Sequence, residues 1–292
     1  MKCFFHDSDL DGHCSGAVVK YFHPECEMIG INYGDEFPWE SIRPNEVVFM
    51  VDFALQPFER MERLEKMYHL VWVDHHKTAI EEAIKKNFEC DGLQRIGIGG
   101  CALTWMHLNP KLHPIEMPRA VRFLAEYDIW DHHDPDTLPF QYGFRLNEDT
   151  FPNNQELWTD TFRGDNVQET INTGKFIIKY EKSQNAKFCK AYVFETSMPH
   201  APTKENEITG VYRAICCNRG FTNSQLFDSI WDPEKYDLMI TFCRIKLPAK
   251  IWTVSLYSTK PEIDCGAIAK NYGGGGHPGA AGFQCKELPF EY

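Results

Sequence analysis

At 292 residues the chain is longer than a single hydrophobic core usually supports, so two domains are expected. Its 43% hydrophobic and 25% charged residues are the balance of an ordinary globular protein. The formal charge of −12 argues against a processive nuclease gripping long duplexes, because such grooves are usually basic. A small anionic substrate stays open, since bound cations can supply positive charge locally.

No run of about 18 apolar residues occurs, so no membrane-spanning helix is expected. The N-terminus lacks a basic region and an apolar signal core, and chemistry-bearing residues begin at His6. The eleven cysteines include no CxxC pair. Several, such as Cys101, Cys243 and Cys265, sit among apolar neighbours. They read as reduced core thiols of a cytoplasmic protein, not as a disulfide framework or zinc site.

In chain order, the first third alternates short apolar runs with helical patterns, the mark of a mostly parallel sheet. Cys3-Phe4-Phe5 leads into His6-Asp7-Ser8-Asp9-Leu10-Asp11-Gly12. A helix is expected over Ser15 to Phe22. Val47 to Val51 then runs into Asp52, a helix follows over Phe58 to Met67, and Leu70 to Val73 runs into Asp74-His75-His76. Further helices are expected over Ala79–Phe88, Ala102–Leu108 and Pro118–Tyr127. The Asp-, Pro- and Asn-rich stretch His132–Asn154 reads as loop, with His132-His133 outside the site, and a long connecting helix is expected between Val167 and Cys189. Met198 to Ile208 reads as a loop or hairpin tip. Strands are expected at Tyr212–Cys217, Leu238–Arg244 and Ile251–Tyr257, then a helix around Asp264–Asn271. The remaining histidines, His13, His23, His69, His107, His113 and His200, read as surface or core residues, and Cys14 as a packed thiol.

Three apolar strands therefore each end in carboxylate or imidazole groups. That is where open α/β sheets build their sites, and the combination reads as a metal centre. The set resembles the DHH phosphoesterase family, through Asp74-His75-His76 and the two acidic strand ends before it. At the far end, Gly273-Gly274-Gly275-Gly276-His277-Pro278-Gly279-Ala280-Ala281-Gly282-Phe283 resembles the glycine-histidine loop of the domain that follows many DHH domains. The resemblance spans nearly the whole chain. It implies an α/β fold with three parts: a mostly parallel catalytic domain over 1–150, a linker with connecting helix over 151–200, and a smaller substrate-binding domain over 201–292. It also implies an active site in the cleft between the domains.

The resemblance further implies six metal-binding residues: His6, Asp9, Asp11, Asp52, His75 and Asp128. One ion would take His6, Asp9 and Asp52, and the other Asp11, Asp52, His75 and Asp128, with Asp52 as the bridge. Asp131 competes with Asp128, and Asp7 with its neighbours. Several carboxylates with two imidazoles and no thiolate suit two Mn²⁺, with Mg²⁺, Co²⁺ or Fe²⁺ as alternatives. Two such ions about 3.5–4 Å apart can clamp the attacking and leaving oxygens of a phosphoryl centre. Asp74 would orient a neighbouring imidazole, and His76 would face the substrate.

Gly273, Gly274, Gly275 and Gly276 with His277 would cradle an anion in a nest of backbone amides. Two departures from the family pattern stand out. His6 lies three residues before Asp9 where several members have four, and Ser255-Leu256-Tyr257-Ser258 replaces the family's Ser-x-Arg-Ser. Tyr257 cannot neutralise a phosphate but could stack on a base. Arg213, Arg219 and Arg244 are candidates for the lost charge.

The implied activity is hydrolysis of short oligonucleotides or linear or cyclic dinucleotides to nucleoside monophosphates, through a two-metal-activated hydroxide. The alternatives are a phosphatase of pyrophosphate or polyphosphate, and a nucleotide sensor that does not hydrolyse. A homodimer is left open, and no membrane partner is expected.

Overall fold

The computed structural model describes residues 1–111, 116–200, 210–245 and 250–292. It divides into two compact units, Met1–Ile178 and Lys179–Tyr292. His113, and the part of the Met198–Ile208 stretch beyond residue 200, lie outside the described residues.

The first unit carries strands β1 (Lys2–His6), β2 (Glu27–Ile31), β3 (Val47–Val51), β4 (His69–Asp74) and β5 (Asp91–Gln94). They form one sheet in the order β2-β1-β3-β4-β5, with every pairing parallel. The period of two sorts the side chains between its faces. Phe4, Val48, Met50, Leu70 and Trp72 point to the face covered by helices α2 (Glu59–Met67) and α3 (Lys77–Lys85). Cys3, Phe5, Phe49, Val51, Val71 and Val73 point to the other. Both faces of the central strands β1, β3 and β4 are buried, which is why those three are nearly unbroken apolar runs.

Helices α1 (Leu10–Phe22), α4 (Gly100–Leu108), α5 (Arg119–Asp128), α6 (Thr137–Phe144) and α7 (Gln155–Arg163) share a further core with the start of α8 (Val167–Tyr192). The expected long helix is thus present, and the boundary between the units falls inside it. The loop reading of His132–Asn154 is corrected: α6 lies within it, held by buried Phe140 and Phe144 one turn apart. α1 starts at Leu10, earlier than the apolar periodicity indicated, because Asp9 caps it by accepting the Gly12 amide at 2.9 Å.

The topology positions the site. From β1 the chain moves to β2 on one side, then crosses to β3 on the other, so the loops after β1 and β3 diverge. In this strand order ligands bind at that switch point, outside the carboxyl ends of the strands.

In the second unit, β6 (Phe194–Pro199), β7 (Val211–Asn218), β8 (Leu238–Arg244), β9 (Trp252–Tyr257), β10 (Gly275–His277) and β11 (Ala280–Cys285) form a sheet in the order β10-β11-β9-β8-β7-β6. All pairings are antiparallel except β7 with β8. Helix α9 (Cys265–Lys270) buries Cys265, Ile268 and Ala269 against one face. The part of the loop or hairpin-tip reading that begins at Met198 is corrected, since Met198 and Pro199 are paired strand residues. All eleven cysteines are free, and among the described residues no helix is long and apolar enough to cross a membrane.

Candidate metal centre

Five elements of the first unit deliver the site. His6 ends β1, Asp9 caps α1 and Asp11 sits in its first turn. Asp52 follows β3, Asp74 ends β4 with His75 and His76 directly after it, and Asp128 ends α5. Two triads place one ligand atom from each residue within 4.8 Å of the others: His6–Asp9–Asp52 and Asp11–His75–Asp128. His75 joins them, with its Nε2 3.1 Å from Asp52 Oδ1, 3.2 Å from Asp128 Oδ2 and 3.8 Å from Asp11 Oδ2. His6 Nδ1 lies 3.2 Å from Asp9 Oδ2 and 3.9 Å from Asp52 Oδ2. All six residues named from the sequence are therefore brought together, with Asp52 between the two groups.

Several features show a cluster built for something other than its own hydrogen bonds. Asp52 is 1% exposed, yet its Oδ1 has no hydrogen-bond partner, and neither does the buried Nδ1 of His6. Asp52 also adopts a left-handed backbone, φ +54°, a cost tolerated where a side chain must be aimed. Burial and the Asp11 and Asp9 charges push its carboxyl well above the ordinary range. The same causes raise Asp128 to about 8. A divalent cation would relieve this repulsion and satisfy the unpartnered atoms, so the donor set fits metal.

Asp11 is held differently. Its carboxylate accepts the amides of Gly100 at 2.5 Å and Cys101 at 2.9 Å, the first turn of α4. Gly100 also makes room for the site: a Cβ there would stand 2.6 Å from Asp52 Oδ1 and 2.8 Å from its Cβ. Neither role follows from the DHH motif; the Gly99-Gly100 pair before an apolar helix was the available signal. Tyr33, just after β2, was also missed. It packs on Phe53 and on His6, with ring centroids 4.6 and 5.8 Å apart.

Asp74 orients His76. Its Oδ1 accepts from His76 Nδ1 at 2.7 Å and from the His75 and His76 amides at 2.7 and 3.1 Å. Burial alone would lower the His76 pKa, but the bond and charge of Asp74 outweigh it and hold the imidazole up to about 9. Burial lowers His75, as suits a neutral ligand. His76 also lies within 4.8 Å of Asp52 and His75 by their ligand atoms.

The competitors fall elsewhere. Asp7 is paired with His13 Nε2 at 2.9 Å. Among the described residues the triads contain Asp128 and not Asp131. His132 stacks on Tyr127 and packs against Trp130.

In the second unit, the amides of Gly273 and Gly274 donate to Lys270 and Ala269, closing α9. Gly275 to His277 pair with β11. The nest of four free amides is thus corrected: the helix end consumes the first two, and the ladder to β11 leaves at most one of Gly275 and Gly276 for an anion. Tyr257 packs against the core that holds Met239 and Ile215, and donates to the Thr222 carbonyl at 3.2 Å. Part of its ring is therefore taken up by that core. Arg213 pairs with Asp237, Arg219 lies over Phe188, and Arg244 lies over Trp252.

No protein-family model matches the chain. The curated protein R106 of Acanthamoeba polyphaga mimivirus, itself uncharacterized, is 28% identical over 280 residues, which cover 89% of this chain. The chain spans 58% of that relative's length. Among solved structures, the pGpG-specific phosphodiesterase PggH from Vibrio cholerae matches with a TM-score of 0.54 at 11% identity, over 97% of this chain and 92% of that one. The two share a fold. An exopolyphosphatase-related protein from Bacteroides fragilis aligns with a TM-score of 0.46 at 11% identity, over 98% of this chain and 87% of that one.

Proposed function

We propose that this chain is a divalent-metal-dependent phosphodiesterase that cleaves short oligonucleotides or linear or cyclic dinucleotides to nucleoside monophosphates. One observation carries the reading: two ligand triads, His6–Asp9–Asp52 and Asp11–His75–Asp128, meet at a buried carboxylate with an unpartnered oxygen, at the switch point of a parallel sheet. The fold shared with a pGpG-specific phosphodiesterase supports it. Two divalent ions, Mn²⁺ first and Mg²⁺, Co²⁺ or Fe²⁺ as alternatives, would supply an activated water and neutralise charge on the phosphoryl oxygens.

The chain's own groups do the rest. Asp52, between the two triads, would hold both ions. Asp11, fastened to the α4 amides, keeps one ligand in place without support from the ion. His76 is locked by Asp74, whose bond and charge hold its pKa up to about 9 before any cation binds. It can donate to a phosphate oxygen or protonate the departing alkoxide. Gly275, Gly276 and His277 are the candidates for gripping the substrate's other end.

The test is a panel of dinucleotides, cyclic dinucleotides, short oligoribonucleotides, pyrophosphate and polyphosphate, with Mn²⁺ or Mg²⁺ and with chelator. Cleavage of short diesters that chelator abolishes is the expected result. Cleavage of none of the panel overturns the diesterase reading, and cleavage of pyrophosphate alone replaces it with a phosphatase.

A further inference from the structure

Beside the triads, within the first unit, lies a cavity of about 290 Å³. Its walls include Asp7, Asp9, His13, Gln141, Arg145 and Asn147. Asp9 belongs to both the cavity and a metal triad, so whatever fills the cavity adjoins the reacting phosphorus. The volume is at the low end for small-molecule sites, which run from about 300 Å³, and suits one compact group, not a whole dinucleotide.

Gln141 is the telling residue. Only 3% of it is exposed, yet its carboxamide oxygen has no hydrogen-bond partner. A buried amide left unmet is costly and is rarely kept for the fold. Arg145 is the cation of the cavity. Among the described residues no carboxylate lies within ion-pair distance of it; its guanidinium rests over the rings of Tyr127 and Tyr142 and donates to the Tyr127 hydroxyl at 3.3 Å. Asp7, engaged by His13, and Asp9 line the same space, so the walls carry no excess positive charge. A second phosphate would meet carboxylates there. A neutral group with several donors and acceptors would not be repelled by them.

We infer that this cavity binds the nucleoside attached to the scissile phosphate, with Gln141 and Arg145 reading its polar edge. A carboxamide offers a donor and an acceptor side by side, and a guanidinium forks onto paired acceptors such as those of a base edge. The inference rests on the phosphodiesterase reading only for the word scissile; binding of a nucleoside is testable without turnover.

The first measurement is binding of free nucleosides, and separately of inorganic phosphate, to the Mn²⁺-loaded protein by titration calorimetry. The wild type should bind nucleosides, and Gln141→Leu and Arg145→Met should each weaken that binding tenfold or more. The second is the ratio of kcat/KM for a dinucleotide to kcat/KM for a minimal aryl phosphodiester, which should fall at least tenfold in both variants. The melting temperature of Gln141→Leu should be no lower than that of the wild type, since the substitution removes an unmet polar group. Wild type that cleaves short diesters but binds no nucleoside overturns the inference. So does an unchanged ratio, or an Arg145→Met variant that loses phosphate binding while keeping nucleoside binding. Wild type that binds nucleosides through Gln141 and Arg145 yet cleaves nothing supports the cavity and sinks the catalytic reading alone.

Discussion

Stripped of metal, the protein should become less stable as the pH rises through neutrality, and the slope follows from the site. An ordinary Asp releases its proton near 3.8, whereas burial and the Asp11 and Asp9 charges hold Asp128 protonated up to about 8. Across that interval the native state keeps a proton that the unfolded chain has lost, so stability falls with rising pH. The fall is about 1.4 kcal/mol per pH unit for each such proton. His76 acts with the same sign from its ordinary 6.5 up to about 9, because the Asp74 bond outweighs burial. His75, lowered by burial, opposes them only below 6.5. Between pH 6.5 and about 8 Asp128 and His76 act in the same direction, so the slope there is steeper than either gives alone, and Asp52, shifted upward as well, adds to it. Urea denaturation with chelator at several pH values in that window measures the slope. Asp128→Asn should remove one proton's share, and saturating Mn²⁺ should abolish most of the slope, because ligands bind metal deprotonated. Metal-free stability that is flat or rises over this window would refute the reasoning, as would an Asp128→Asn protein with the full slope.

Asp52→Ala should lower both metal content and turnover more than His6→Ala, since Asp52 stands between both triads and His6 in one; elemental analysis and initial rates on folded variants decide it. Gly100→Ala should cost about 1–3 kcal/mol and loosen metal binding, because its Cβ would stand 2.6 Å from Asp52 Oδ1; denaturant midpoints and metal titration check both. Gly275→Val tests the glycine loop cleanly, as a Cβ there meets nothing within 4 Å and the backbone is not left-handed. It and His277→Ala should lower the dinucleotide-to-aryl-diester ratio of kcat/KM while metal content holds; an unchanged ratio would make the loop a structural turn.

The three strands that carry the ligands were legible because burial on both faces makes them unbroken apolar runs, each ending abruptly in polar chemistry. The edge strands were not. β2 reads Glu-Met-Ile-Gly-Ile and β5 reads Asp-Gly-Leu-Gln, short segments with glycine and a charge that break the pattern. α6 was hidden by Pro139 and Gly143, although Phe140 and Phe144 already carried its helical spacing. The six ligand candidates came from motif and resemblance. What motif could not convey is what fixes them: the bond from α4 to Asp11 joins residues far apart in the chain, and Gly100 matters only because Asp52 approaches it in space. The cavity beside Asp9 was invisible for the same reason, since Gln141 and Arg145 sit in the stretch that read as loop.

The spread of the ligands along the chain sets an order of events during synthesis. His6, Asp9 and Asp11 leave the ribosome first, but Asp128 follows all five strands of its sheet. A nascent fragment that stops short of Asp128 therefore holds His6–Asp9–Asp52 whole but only part of Asp11–His75–Asp128, and would retain a cation at the second only weakly. Once Asp128 arrives, a cation in each triad would tie together segments that are otherwise distant in sequence, closing long loops whose entropy cost grows slowly with length. Under the proposed function metal would then act as a late, reversible cross-link that marks a finished domain, and the supply of metal after translation should govern how quickly newly made chains become resistant to proteolysis.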